Sequence, residues 1–598
     1  MGSMSEALAM PVKQPARPPE RAAAAAPAAD PRLRASRVEQ AGRSPEAEGP
    51  AGIAHRPRRL ADFEPFGRAE RVLLRSLARG DIARVSLQRP PQASAAFSVR
   101  ASLLAFLARS ATSSAGGASR SLQLVGAWIT GRLDLTGADV VPSIWLYRCI
   151  FDEPLELDGL RLAGHLSLRD CELPGLHAER CELRGDLRLD AGTVVHSEVR
   201  LRSARIHGDL LLARARLAVR PAGSRSVVRP LVADGAHVRG DVRMVDGVHA
   251  IGEMRWVGAR VDGDFDARRA RLTGHVDPQG LRRDALNLDR IQIGGDLLLN
   301  DGFAAAGAVR AVRALVGGSV DCSEATFDMA GDSTWSDDAS ALRLDRASIG
   351  GALVLRGLPA PITSASLEDV RVSTLDDDDS TWDEQLVLDG FEYQRLSATA
   401  PVDSRFRVGW LERQRPNAAG ADLRPQPWRH LIGVLRAMGR PDVAREVAIG
   451  RESYRRRAGR VGAAWPDALR PLARAGHALF GGVAGYGHRP WRLLGWMAVA
   501  GFGCAVAYGW AAAAGLLAPV DGAAPPFNAW SYSLERLVPL LDLGQQRAWR
   551  WSAAAAPDSA TAAALMRGLA GVEALVGWAG SATLVASLAG WFDRDRRA

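Results

Sequence analysis

Lysine is all but missing: Lys13 is the only one, and arginine supplies the rest of the 76 basic residues. So one-sided a choice reflects codon composition more than nucleic-acid binding, and the formal charge of +9 carries little weight by itself. Cysteine is scarce as well. The five thiols (Cys149, Cys171, Cys181, Cys322 and Cys504) form no C-x-x-C and no zinc-like spacing with histidine, which argues against a zinc ribbon or a thioredoxin-type site. Phosphate-cradling, zinc-protease, nucleophile-elbow and haem-attachment motifs are absent, and the glycine cluster GGVAGYG (481–487) follows no strand. No apolar run follows Met1, so no cleavable signal peptide is expected. Glu6 stands where a myristoylation signal needs Ser or Thr. No catalytic, cofactor-binding or metal-binding residue emerges, and the reading leans away from an enzyme, with no cofactor expected.

What is present is a repeat. ARIHGDLLLARARL (204–217) has near-copies in AHVRGDVRM (236–244), ARVDGDFDA (259–267), IQIGGDLLL (291–299) and ASIGGALVL (347–355). The marker glycines are Gly131, Gly164, Gly185, Gly208, Gly240, Gly263, Gly274, Gly295, Gly318 and Gly351, and their separations lie near multiples of 11. Apolar residues fall two and four places after each glycine, then seven and nine. Alternation, a phase shift and renewed alternation mean two short strands joined by a corner. A lap of 11 would enclose little besides backbone, so the expected coil has about 22 residues and four short faces, rising about 4.8 Å per lap. Ten or eleven such coils make a rod roughly 50 Å long. The glycines suit corners that need an unusual φ, and the small Ala or Cys slot marks converging walls. Cys149, Cys171 and Cys181 all fall in that slot, where a buried hydrophobe is expected; a redox pair of Cys171 with Cys181 is the sharper alternative. Histidines such as His165, His207, His237 and His275 read as solvated.

The flanks differ in kind. Residues 1–55, rich in Ala, Pro and Arg, lack the apolar density to order themselves and read as a disordered tail. Residues 56–120 read as a helical cap, built on RAERVLLRSLARG and SVRASLLAFLARS, over the open end of a solenoid assigned to 121–402. Within it, 361–402 degrades the pattern, and LDDDDSTWDE reads as a solvated closing loop without the punctuation of a calcium loop. Residues 403–490 turn helical and basic, with Pro441 opening the second arm of an α-hairpin.

Mean hydropathy is −0.07, so any membrane portion is local. It falls at 491–598: 28 uncharged residues follow Arg492, and 19 more run from Ala574 to Phe592. These lengths suit two spanning helices. Residues 401–500 hold 18 arginines against 7 acids, and the intervening loop 521–567 holds four of each. Positive flanks belong inside, so both termini are expected in the cytoplasm and the loop outside. The surplus would hold anionic lipid. Residues 121–358 are near neutral, with 33 acids and 30 arginines, which disfavours a nucleic-acid partner. FNAWSYSLERLVPLLDLGQQRAW (527–549) is too apolar for a connector. It lies in the interface or re-enters the membrane, with Tyr532, Glu535, Asp542 and Gln545 as the residues of a pore or subunit contact.

The half-unit A-x-L-x-G followed by D-L-x-L-x-x resembles the pentapeptide-repeat right-handed β-helix, with a looser register. The order of RAERVLLRSLARG, ITGRLDLTGA, CIFDEPLEL, CELPGLHA, GYGHRPWRLL and YSLERLVPLLDLGQ resembles a family of bacterial membrane proteins of unassigned activity. The resemblance covers most of 60–592 and implies a cytoplasmic β-helix on a two-span C-terminus. Relatives are sometimes called membrane-associated oxidoreductases, a name that no residue here supports. The expectation is a mainly β, membrane-anchored, non-enzymatic scaffold or sensor with an unknown protein partner on its solenoid. A channel-like homo-oligomer is the alternative, and an oxidoreductase the third reading, by family naming alone.

Overall fold

Each lap of the repeat places four short strands in succession, as in Leu166–Arg169, Glu172–Leu173, Leu176–His177 and Glu182–Leu183. Each strand pairs in parallel with its counterpart one lap on: Leu166 with Leu187, Glu172 with Val194, Leu176 with Val199 and Glu182 with Arg205. The result, in a computed structural model, is a β-helix whose second and third faces are parallel sheets of ten strands each, while its first and fourth faces join in one larger sheet. The structure describes residues 59–595, apart from 111–120, 141, 219–228, 276–282, 330–339, 415–423, 521, 523 and 553–558. The expected disordered tail therefore lies outside the described residues. Phe63–Ala598 forms one compact unit, described here by itself.

Register partners lie 21 to 23 residues apart in plain laps, as for Leu166–Leu187 and Leu187–Leu210, but 32 for Leu210–Val242. The longer interval is not one and a half laps of 22. Extra residues enter three times at the same corner, between the second and third faces: after Leu217, after Thr273 and after Asp328. Gly131 and Gly274 also follow second-face strands, whereas Gly164, Gly185, Gly208, Gly240, Gly263, Gly295, Gly318 and Gly351 stack at the turn from the fourth face to the first.

The stacked glycines are there for space, not for φ. None of those eight has a positive φ. A Cβ on Gly240 would stand 2.9 Å from the Gly208 carbonyl oxygen, and one on Gly263 2.9 Å from that of Gly240. The left-handed conformations fall instead to other residues, among them Arg180, Ser203, Arg214, Arg290, Arg313 and Arg346, with φ between 54° and 62°. That conformation costs about 1–2 kcal/mol outside glycine. It is held because each such amide donates to the next lap, as Arg180 N does to Arg202 O at 2.8 Å. The residue after each stacked glycine adds a second ladder. Asp186, Asp209, Asp241 and Asp264 each accept, through Oδ1, the amide of the next residue in the column, at 2.8–3.0 Å. His165 fills the same slot, its Nδ1 accepting from Asp186 N at 3.0 Å, so a side chain that is solvated, as expected, also belongs to the column.

Cys149 and Cys171 occupy one corner on successive laps, and Cys181 another. The Cys171–Cys181 pair weighed from sequence is therefore not brought together. All three are buried and free, and burial pushes the Cys181 thiol up to about 12, which keeps it inert.

Both rod ends depart from expectation. The N-terminal segment carries α1 (Arg68–Arg79) and α2 (Ala101–Ser110), but it also supplies strands. Ala83–Arg84 pairs with Leu124–Val125, and Ser98–Arg100 with Trp128–Thr130, so the cap begins the sheets it covers. Glu70 of α1, buried, binds Arg100 through Oε1 at 2.7 Å and Oε2 at 2.8 Å. At the other end the aspartate run is no solvated loop. Arg371–Asp377 is a strand that crosses the corner beside Ser348–Leu355, and Trp382–Val387 continues the third face. Asp377 and Arg407 are both 0% exposed and meet through two bonds of 2.7 and 2.9 Å, with Trp382 Nε1 donating to Asp377 at 2.7 Å.

Arg407 belongs to α3 (Ser404–Glu412), which packs on α5 (Pro441–Arg457), as does α4 (Pro425–Ala437). Pro441 opens α5, as its spacing predicts. One face of α4 covers the last strand, Glu392–Leu396. Gln426 Oε1 accepts from Gly390 N at 3.1 Å, and His430 Nε2 from Tyr393 N at 2.9 Å. These two side chains, one turn apart, satisfy amides that an open sheet edge leaves free.

Gly263→Ala should lower unfolding stability by about 1–3 kcal/mol, because the added methyl has no room; chemical denaturation of the purified chain measures it. Asp377→Asn should cost about 3–5 kcal/mol in the same assay by leaving Arg407 buried without its counter-ion, and Asp377→Leu with Arg407→Met should recover most of that loss.

Candidate functional site

The helical C-terminus is tied to the rod by charge. α6 (Arg470–Ala484) packs on α5 and leads through the turn Gly485–Gly487 into α7 (Pro490–Ala513). Arg489, at the start of α7, pairs with Glu446 of α5, and Arg456 of α5 reaches Tyr486 Oη at 3.3 Å. The GGVAGYG cluster is thus a helix end and tight turn. Gly485 has φ +55°, and a Cβ on Gly481 would meet the Tyr486 ring.

α7 is one of two helices among the described residues that are long and apolar enough to cross a membrane. The other stretch is Ala560–Ala586 of α10 (Ser559–Asp595). This stretch begins ahead of the 574 expected, because the charge-free run was cut at Glu573. Glu573 lies midway along Ala560–Ala586. Only 28% of the α7 window and 22% of the α10 window is buried, which is not how the core helix of a soluble domain packs. Val499, Phe502, Val506 and Trp510 of α7 face outward, as do Leu565, Val572, Leu575 and Trp578 of α10.

Between them lies α8 (Ala529–Leu537), capped by Asn528, whose side chain accepts the amides of Trp530 and Ser531. At one end of α8 Tyr532 packs with Tyr508 and Ala570; at the other Leu537 joins Leu493 and Met497. Gly577 of α10 makes the room, since a Cβ there would stand 2.9 Å from Arg536 O. Ser533, midway along α8, points at the centre of both long helices. Its Oγ lies 2.9 Å from Gly501 O of α7 and also bonds Glu573 Oε1. Tyr508 Oη donates to Glu573 Oε2 at 2.6 Å. All three side chains are almost fully enclosed, Glu573 being 3% exposed. Arg536 stands by without pairing to the carboxyl: it donates to Tyr532 Oη at 2.8 Å and to Ala570 O at 3.4 Å.

After α8 the chain returns without helix through Val538–Leu543 to α9 (Gln545–Ala548), and Trp549–Trp551 pairs antiparallel with Leu517–Pro519. Of the residues picked from sequence, Tyr532 alone joins the cluster, its ring edge-on to Tyr508 at 5.2 Å. Glu535 and Gln545 are buried but serve the return: Glu535 accepts from Gly544 N and Gln546 N, and Gln545 from Asn528 N. Asp542 is at the surface, paired with Arg547 at 2.8 Å. Sequence reasoning missed Glu573, Tyr508 and Ser533. The one available signal was Glu573 itself, the sole acid between Ser559 and Phe592.

Among the described residues no group of three His, Cys, Asp or Glu side chains could hold a metal. Compared with protein-family models, curated proteins and solved structures, the chain finds no match.

Proposed function

We propose that the chain is an inner-membrane protein of bacteria, with both termini in the cytoplasm, that presents a right-handed, pentapeptide-like β-helix as a rigid, non-catalytic scaffold or sensor surface for a protein partner. One observation carries the reading: α7 and α10 turn their large apolar side chains outward along a full bilayer's length. A second feature supports it. Leu472, Leu479 and Phe480 of α6 are also exposed, giving an amphipathic helix suited to the cytoplasmic interface, next to the arginine-rich α5 that would meet anionic headgroups. The ties from Arg489 and Arg456 make the attachment of rod to membrane stiff.

A channel-like oligomer is the second reading, favoured by the path of 527–549. A short helix that reaches the middle of both spans and returns as extended chain is a re-entrant segment, and non-helical backbone at that depth must be covered by protein or line a water-filled cavity. Leu540 is 94% exposed in the single chain, and Val538 and Leu543 are uncovered beside it, so a second copy is the natural cover.

Full-length protein should stay with bacterial membranes through high-salt and alkaline washing; recovery in the soluble fraction would overturn the anchoring. Native mass measurement in nanodiscs should find a closed oligomer, and a strict monomer would defeat the channel-like reading.

A further inference from the structure

The polar cluster poses a counting problem. Ser533 has one hydroxyl proton but lies within hydrogen-bond distance of two oxygens, Gly501 O and Glu573 Oε1. A main-chain carbonyl only accepts, and so does an ionised carboxylate. With Glu573 ionised, Ser533 would face two acceptors with one proton, and sharing it would weaken both bonds in a place water does not reach. With Glu573 protonated, every proton finds one acceptor. Tyr508 Oη donates to Oε2, the acid donates from Oε1 to Ser533 Oγ, and Ser533 donates to Gly501 O.

The surroundings agree with that count. The groups facing Glu573 are Tyr508 and Cys504 from α7 and Ser533, Tyr532 and Arg536 from α8. Arg536 is the one cation among them, and its guanidinium is committed to Tyr532 and Ala570, with Nε left without a partner. Arg536 stands close but makes no ion pair with the carboxyl, and a charge at the middle of an apolar helix is costly without one.

We propose that Glu573 is a proton-binding site: the chain Tyr508–Glu573–Ser533–Gly501 closes only with the acid protonated, clamping α8 between α7 and α10, and loss of that proton releases α8. On release the carboxylate turns to Arg536, whose Nε is free to receive it. This rests on the membrane reading above for the depth of the site, but the proton count stands on the hydrogen bonds alone. It gives the membrane module a conformational variable that the rod, coupled through Arg489 and Arg456, can sense or set.

The test uses the full chain in nanodiscs of phosphatidylethanolamine and phosphatidylglycerol. Infrared difference spectra between wild type and Glu573→Gln at neutral pH should show loss of a protonated-carboxyl C=O band. Gln keeps a donor and an acceptor at the same place, so this variant stays clamped. Its melting temperature should be flat with pH, while the wild type, stabilised by its bound proton, should lose stability as pH rises through the titration. Tyr508→Phe should keep the band but shift it to higher frequency, because its donor to Oε2 is gone, and this variant decides the matter if Glu573→Gln does not fold. A difference spectrum holding only carboxylate bands, or no shift in Tyr508→Phe, overturns the proposal. A protein that washes off membranes yet shows the band would instead sink the membrane reading and keep the proton site.

Discussion

Every other feature of the rod depends on the close hydrogen-bonded stacking of one lap on the next. The spacing of parallel strands, about 4.8 Å, leaves little room at corners where the chain must also turn. At the turn from the fourth face to the first, the backbone of one lap sits against that of the lap below, and only glycine admits the approach. The following Asp then satisfies an amide that the bend withdraws from the strand ladder. Two other corners of each lap solve the same problem differently. They accept a strained left-handed residue because the inter-lap bond holds it there. The rod is thus regular through its main chain, which is why the side chains in a column can vary from Leu to Val to Phe, as at Leu210, Val242 and Phe265, without loss of register.

Stacking of this kind has no natural end, and both termini of the rod are closed by chemistry the repeat does not contain. At the start, two strands from the cap are paired onto the first lap while the Glu70–Arg100 pair holds α1 over them. At the finish, Gln426 and His430 reach down from α4 to the last edge, and a buried ion pair fastens α3 to the strand before it. The same helical cap then hands the chain on: α5 touches the turn before α7 through Arg456 and Glu446. A displacement of α7 relative to the rod would have to break these contacts, so the apolar helices and the β-helix are mechanically joined.

In the C-terminal bundle the polarity between the two long helices gathers in one place. Three helices with apolar outer surfaces meet around Tyr508, Ser533 and Glu573, and these hydrogen bonds, with that of Arg536 to Ala570 O, hold α8 there besides the packing at its two ends. A polar cluster enclosed by apolar helices specifies one arrangement more strongly than packing alone, since any other leaves its groups unsatisfied.

The order of residues by itself determined the lap length, the four faces, the inward Leu and Ala columns and the start of α5 at Pro441, because each is a local pattern repeated or punctuated along the chain. It determined too that the apolar stretches lie at the C-terminal end. It misjudged the eight stacked glycines, though not Gly131 with its φ of 78°, since φ is a local property and a missing Cβ between laps is not. It also read the run from Asp376 to Asp379 as solvated, because nothing local shows that Arg407, thirty residues on, lies over Asp377. Tertiary structure alone decided that Cys149 rather than Cys181 shares a column with Cys171. It alone brought Glu573 of α10 to Tyr508 of α7 and Ser533 of α8, across 65 and 40 residues of chain. A search for uncharged runs discards the one acid that packing makes central, for the cost of burying it is met by partners that only the fold supplies.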